Sequence, residues 1–76
     1  MKSYFTFGTA HEWELNGVEI THNHVLEIEG ANPAETRKTL WGFVGPKFAF
    51  QYDNEPPDMQ FFPAGILKLS DIVEVV

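Results

Sequence analysis

Apolar and polar residues alternate on both sides of Asn16-Gly17. An Asn-Gly pair between two alternating runs is the strongest short-range signal of a β-hairpin, and it fixes the register of the two strands. The predicted cross-strand pairs are Leu15 with Val18, Trp13 with Ile20, and His11 with His22. Because successive side chains point to opposite faces of a strand, these residues share one face and the other face is acidic. The acidic face is predicted to carry Glu12, Glu14 and Glu19.

Other alternating runs predict further strands. Residues 3–7 read as an aromatic strand that ends at Gly8, and the strand that leaves the hairpin is expected to run unbroken from His22 to Glu29. In that strand Leu26 and Ile28 are predicted to point inward, with the intervening glutamates outward.

The second half of the chain also contains strand patterns. Residues 47–53 predict a central strand in which Phe48, Phe50 and Tyr52 face the helix as part of the core. Short strands are expected at 66–69 and 72–76, separated at Ser70-Asp71. The apolar segment 61–65 is predicted to be irregular and to pack against the core or lie at an interface.

The segment that begins at Asn32 predicts a helix. Asn32 is a favourable N-cap, Pro33 suits the first helical position, and Glu35 stands where a capping box places an acid. The helix is expected to reach about Val44 and to end at Gly45-Pro46. Its apolar stripe is predicted from Ala34, Leu40, Trp41 and Val44, and Gly42 suggests a close approach to a neighbouring strand.

These elements predict an α+β fold. One helix packs on one face of a mostly antiparallel sheet of five or six strands, within a single domain that spans residues 1–76. The strands before and after the helix are expected to be parallel neighbours joined by a right-handed crossover.

Composition narrows the function classes. The chain has 76 residues, 43% of them hydrophobic and 14% aromatic, and a domain this small favours a homo-oligomer as a way to cover apolar surface. It contains no cysteine and no apolar run long enough to span a membrane, so a cytosolic protein is expected. The net charge of −6 argues against nucleic-acid binding and favours a partner with a basic surface.

The histidines have two interpretations. On one strand face, His11, His22 and His24 have a spacing that suits a transition metal, or they form an exposed cluster that contacts a partner or titrates near neutral pH. No carboxylate is predicted on that face, so neither a metal nor a cofactor is expected.

The segments YFTFG at residues 4–8 and GPKFAFQY at 45–52 resemble motifs of a group of small proteins encoded by bacteriophages and prophages. In that group an aromatic first strand ends in Gly, and a Gly-x-Lys-aromatic-Ala-Phe-Gln-Tyr strand follows an Arg-bearing helix. This chain departs from the pattern in Phe48, where Trp is expected, in the Asn-Gly hairpin and in its Pro-rich tail. The resemblance implies a phage origin and the cytosol of an infected bacterium, and it implies no reaction.

Three functions follow as hypotheses, the third being a metal-binding protein that uses the cluster of His11, His22 and His24. Catalysis is not expected because no nucleophile, phosphate loop or paired acids stand out. The first is a phage protein that binds and inhibits a host factor, namely a component of antiviral defence. Its predicted contact residues are His11, Glu12, Trp13, Glu14, Glu19 and His22. The alternative is an oligomeric sponge for a nucleotide-derived immune signal, with Arg37 or Lys47 on phosphate and Trp13 or Tyr52 stacking on the base.

Overall fold

The computed structural model of this chain describes residues 1–9, 13–45 and 48–73. Within these residues the chain forms six strands, one long helix, one short helix and one 3-10 turn. Their bounds are β1 (Lys2–Thr6), β2 (Trp13–Leu15), β3 (Val18–Ile20), β4 (His24–Glu29), α1 (Pro33–Val44), β5 (Phe50–Asp53), the 3-10 turn (Met59–Phe61), β6 (Gly65–Lys68) and α2 (Leu69–Ile72).

Four of the strands form one sheet in the order β5-β1-β4-β6, and β2 and β3 form a separate hairpin. Strand β1 is antiparallel to both of its neighbours, and β6 is parallel to β4. The predicted α+β class is therefore confirmed. Two details of the prediction were wrong: β5 lies at an edge of the sheet, and β1 separates it from β4, so the parallel neighbours are β4 and β6.

Helix α1 begins and ends where the sequence predicts. The Asn32 side-chain oxygen accepts a hydrogen bond from the Glu35 backbone N–H at 2.9 Å, and Gly45 ends the helix with a φ of 74°. The predicted apolar stripe was only half right, because Ala34 is exposed and Trp41 is 50% exposed. The buried positions are Thr36, Leu40 and Val44, which recur every four residues along one side of the helix.

The core lies between α1 and the face of the sheet that carries Phe5. Its buried members come from both sheets and both helices and are Phe5, Phe7, Ile20, Leu26, Ile28, Leu40, Val44 and Leu69. Leu26 and Ile28 point inward as predicted. Gly42, which was expected to meet a strand, has open space where a side chain would be, and the close approach occurs at Gly30, where an added Cβ would lie 2.9 Å from Thr36 Cγ2.

The aromatic residues around β5 do not share one face. Thr6 is the register partner of Phe50, yet its carbonyl also accepts the N–H of Ala49 at 2.7 Å, so two consecutive residues oppose one, as in a β-bulge. Before the bulge, Phe48 packs edge-on against Phe5 with ring centroids 5.1 Å apart. After it, Phe50 and Tyr52 point away from α1 and are 65% and 38% exposed, which corrects their predicted place in the core.

A turn interrupts the strand that was expected to run from His22 to Glu29. The His24 N–H donates to the Thr21 carbonyl at 3.0 Å, and the Asn23 N–H donates to the Thr21 hydroxyl at 3.2 Å. These bonds reverse the chain between the hairpin and the main sheet, so His22 lies in the turn and β4 starts at His24.

Residues 54–64 connect β5 at one edge of the sheet to β6 at the other. Tyr4, Thr6 and Val25 are buried although they face away from α1, which indicates that this connection crosses that face. Phe61 is 69% exposed on the crossing. The strand predicted at 72–76 was wrong at its start, because Ile72 ends α2, and residues 74–76 lie outside the described residues.

Candidate functional site

The hairpin forms in the predicted register. Asn16 and Gly17 have φ values of 49° and 81°, which is the backbone of a type I′ turn, and Glu14 lies directly opposite Glu19. Both glutamates are exposed. We call this pair the acidic hairpin face. Glu12, which was predicted on this face, and His11, which was predicted on the other face, lie outside the described residues.

The other side of the hairpin is held against the core. Ile20 is fully buried, and Trp13 and Leu15 pack partly buried against the same cluster. The Asn16 side-chain amide donates to the Ile72 carbonyl at 2.8 Å, which attaches the turn to the end of α2. The acidic hairpin face is therefore presented on an anchored support. The local pattern predicted the hairpin, but it contained no signal for an anchor 56 residues away along the chain.

Within the described residues, neither carboxylate of this face forms an ion pair. The ion pair found there joins Lys2 Nζ to Glu27 Oε1 at 3.9 Å, on the far side of the main sheet. Like charges directly opposite each other on a strand pair are destabilising. The fold thus carries a repulsive pair that its own described residues do not relieve.

Trp13 does not present its ring to solvent as a stacking platform would. The indole packs against the core, and its Nε1 is buried with no acceptor among the described residues. Its contribution is to hold the hairpin in place, since its bulk fills the space beneath the two short strands.

Two of the three histidines, His22 and His24, lie in the described part of the chain, where no three His, Asp or Glu residues approach as metal ligands would; His11 lies outside it. His22 is exposed in the turn. His24 is half-buried, and its Nδ1 accepts the Thr21 N–H at 3.0 Å, so that nitrogen is committed to the turn.

The residues proposed for nucleotide binding lie on separate surfaces of one chain. Arg37 is exposed on α1 and its Nε donates to Gln51 Oε1 at 2.8 Å, whereas Tyr52 points from the opposite face of the sheet and Trp13 lies under the hairpin. Lys47 lies outside the described residues. A shallow groove of about 460 Å³ does follow the outer side of α1, lined by Ala34, Arg37, Lys38 and Trp41.

A smaller cavity of about 180 Å³ lies at one end of the sheet. Its charged lining is balanced, with Lys2 and Lys68 against Glu27 and Glu29. Burial raises the pKa of the neighbouring Tyr4 phenol above its ordinary value of 10.0, and the Glu27 carboxylate raises this pKa further.

A polar network that the sequence pattern does not indicate lies beneath α1. The Thr36 hydroxyl donates to Ser3 Oγ at 2.7 Å, and the Ser3 hydroxyl donates to Asp53 Oδ1 at 2.7 Å. The Gln51 amide donates to the same Asp53 oxygen at 2.9 Å and accepts from Arg37. Ser3 and Thr36 are fully buried, so the network joins the helix to β1 and β5.

The chain matches no protein-family model, and neither the curated proteins nor the solved structures contain a significant match to it. Within the described residues, no helix is long and apolar enough to cross a membrane.

Proposed function

We propose that this chain is a non-catalytic binding protein that covers a basic surface of another protein with the acidic hairpin face. The observation that supports this proposal is the opposition of Glu14 and Glu19, which are both exposed and form no ion pair among the described residues. A pair that costs free energy in the isolated chain gains most from a cation supplied by a partner.

The contacts that hold the hairpin against the core favour binding through a surface that is already formed in the free chain. Ile20 is buried, and the bond from Asn16 to Ile72 restrains the turn, so little conformational entropy remains to be lost on binding. The net charge of −6 adds a long-range attraction to a basic partner and accelerates the encounter.

The resemblance to phage and prophage proteins supplies the proposed setting, the cytosol of an infected bacterium. In that setting the partner is a host protein, and the chain inhibits it by occupying a basic site at one-to-one stoichiometry. A component of antiviral defence is the proposed target class.

Affinity capture from bacterial lysate, with the chain immobilised, tests the proposal. The double variant Glu14→Gln, Glu19→Gln removes both charges of the acidic hairpin face. The matched control is Glu55→Gln, Asp58→Asn, which makes the same change in net charge at two exposed positions of the 54–64 connection. We expect the wild type and the control to retain the same protein, and the hairpin variant to lose it.

Salt and stability measurements complete the test. The captured protein should elute as ionic strength rises, because exposed charges are screened within about 10 Å at 0.1 M salt. The hairpin variant should be as stable as the wild type or more stable by a few tenths of a kcal/mol, since the like-charge pair is relieved. Equal capture by the hairpin variant and the wild type would refute the proposal, as would equal loss in both double variants.

A further inference from the structure

The outer edge of β5 has backbone groups that point away from the sheet. The β1–β5 register pairs Tyr4 with Tyr52, and two residues further the Asn54 N–H donates to the Lys2 carbonyl at 2.8 Å. In an antiparallel ladder the residues that bond to the neighbouring strand alternate with residues whose N–H and C=O point outward. The outward groups on β5 are therefore those of Gln51 and Asp53, and no strand pairs with this side in the described part of the chain.

The same edge exposes two aromatic rings. Phe50 and Tyr52 share the face away from α1, their ring centroids are 6.4 Å apart, and they are 65% and 38% exposed. Edge strands of stable monomers are usually guarded by a lysine, a proline or an inward charge. The four residues of β5 include no lysine or proline, and their one charge, Asp53, faces the helix side, where its carboxylate already accepts from Ser3 and Gln51. The two rings add apolar surface to an edge whose outward backbone groups are free for strand addition within the described residues.

We propose that β5 pairs antiparallel with β5 of a second copy of this chain, about a two-fold axis that passes beside Gln51. The two four-stranded sheets then form one continuous sheet of eight strands. In this register the outward groups of Gln51 bond to those of Gln51 in the second copy, and Phe50 lies beside Tyr52 of the second copy on the same face.

The occupant is a second copy because the edge is complementary to itself. The bulge at Ala49 and Asn54, whose φ is 70°, limit the usable length of the edge, and because the same limits hold on a second copy the two edges match in length. Asp53 does not oppose the pairing strongly, because its carboxylate already accepts from Ser3 and Gln51 on the helix side. One short strand with two rings covers less than the roughly 800 Å² per partner of a standard interface, so a dimer of micromolar rather than nanomolar affinity is expected.

Sedimentation equilibrium of the purified chain from micromolar to millimolar concentration tests the dimer. Phe50→Lys places a charge at the edge and should weaken dimerisation at least about tenfold. Trp41→Lys is the matched control, because it makes the same charge change at an aromatic residue that is 50% exposed on α1, on the other side of the sheet. The control should dimerise like the wild type. A wild type that stays monomeric overturns the proposal, and so does equal dimerisation of the wild type and Phe50→Lys or equal loss in both variants.

Amide hydrogen exchange locates the interface without any substitution. The N–H groups of Tyr52 and Asn54 bond within the chain and should exchange slowly at every concentration. Those of Gln51 and Asp53 should become protected only as the dimer forms. Rapid exchange at Gln51 under conditions in which the chain is dimeric would show that another surface carries the contact.

Discussion

A substitution of Ser3 measures the contribution of the buried hydrogen-bond network beneath α1 separately from the contribution of packing. Its hydroxyl is fully buried under α1, accepts from Thr36 and donates to Asp53, both at 2.7 Å. Ser3→Ala removes both bonds and leaves the volume of the site almost unchanged. The loss of stability therefore measures the hydrogen bonds that join α1 and β5 to β1.

The two bonds are not worth the same amount. Thr36 has a second acceptor in the Pro33 carbonyl at 2.9 Å, so it remains satisfied when Ser3 is replaced. The bond to the Asp53 carboxylate is charge-assisted, worth about 1.5–3 kcal/mol, and the exposure of Asp53 places it at the lower end. We expect Ser3→Ala to lower the free energy of unfolding by about 1.5 kcal/mol, which lowers Tm by about 6–12 °C in a domain of this size.

Urea unfolding followed by circular dichroism provides the measurement, with Ser70→Ala as the control because Ser70 is exposed on α2. Thr36→Val should cost less than Ser3→Ala, about 0.5–1 kcal/mol, since the bond from Ser3 to Asp53 survives. The double variant should lose less than the sum of the two, because their shared bond is counted twice. A Ser3→Ala protein as stable as Ser70→Ala would refute the assignment of this network.

Three further predictions concern stability. Gly42→Ala should raise the free energy of unfolding by about 0.5–1 kcal/mol in chemical denaturation, because the position is helical and open. Gly30→Ala should lower it by about 1–3 kcal/mol in the same assay, because the new Cβ would press on the buried Thr36 methyl group. The raised pKa of Tyr4 means that the phenol ionises first in the unfolded chain, so the contribution of Tyr4 to stability should be constant below pH 10 and be lost as pH rises above it. Tyr4→Phe should reduce that alkaline loss, and equal pH profiles for the two proteins would contradict it.

The features that the sequence predicts correctly are determined by short stretches of the chain. Asn16-Gly17 adopts positive φ values at both positions, which few other pairs tolerate, so hairpin and register followed from two residues. Asn32 and Gly45 bound α1 for similarly local reasons. The acidic hairpin face follows from the same register, and two of its three predicted glutamates lie within the described residues.

The features that the sequence does not predict depend on contacts between segments that are distant along the chain. Phe48, Phe50 and Tyr52 alternate perfectly in the sequence, but the bulge opposite Thr6 divides them between two faces, and a bulge leaves no mark in an apolar pattern. The helical pattern does not mark Thr36 as buried, because its burial depends on Ser3, 33 positions earlier. The edge position of β5 is likewise a property of the sheet order, which local periodicity does not encode.

The two proposed contacts should respond to salt in opposite directions, which follows from the charge of the chain. Two copies that each carry −6 repel one another, so screening should strengthen pairing at the edge of β5. The acidic hairpin face attracts a basic partner by the same charge, so screening should weaken that contact. A salt titration of the wild type followed by both sedimentation and capture thus separates the two contacts. If both contacts weakened together, pairing at β5 would depend on attraction between charges, which the apolar pair of Phe50 and Tyr52 does not provide.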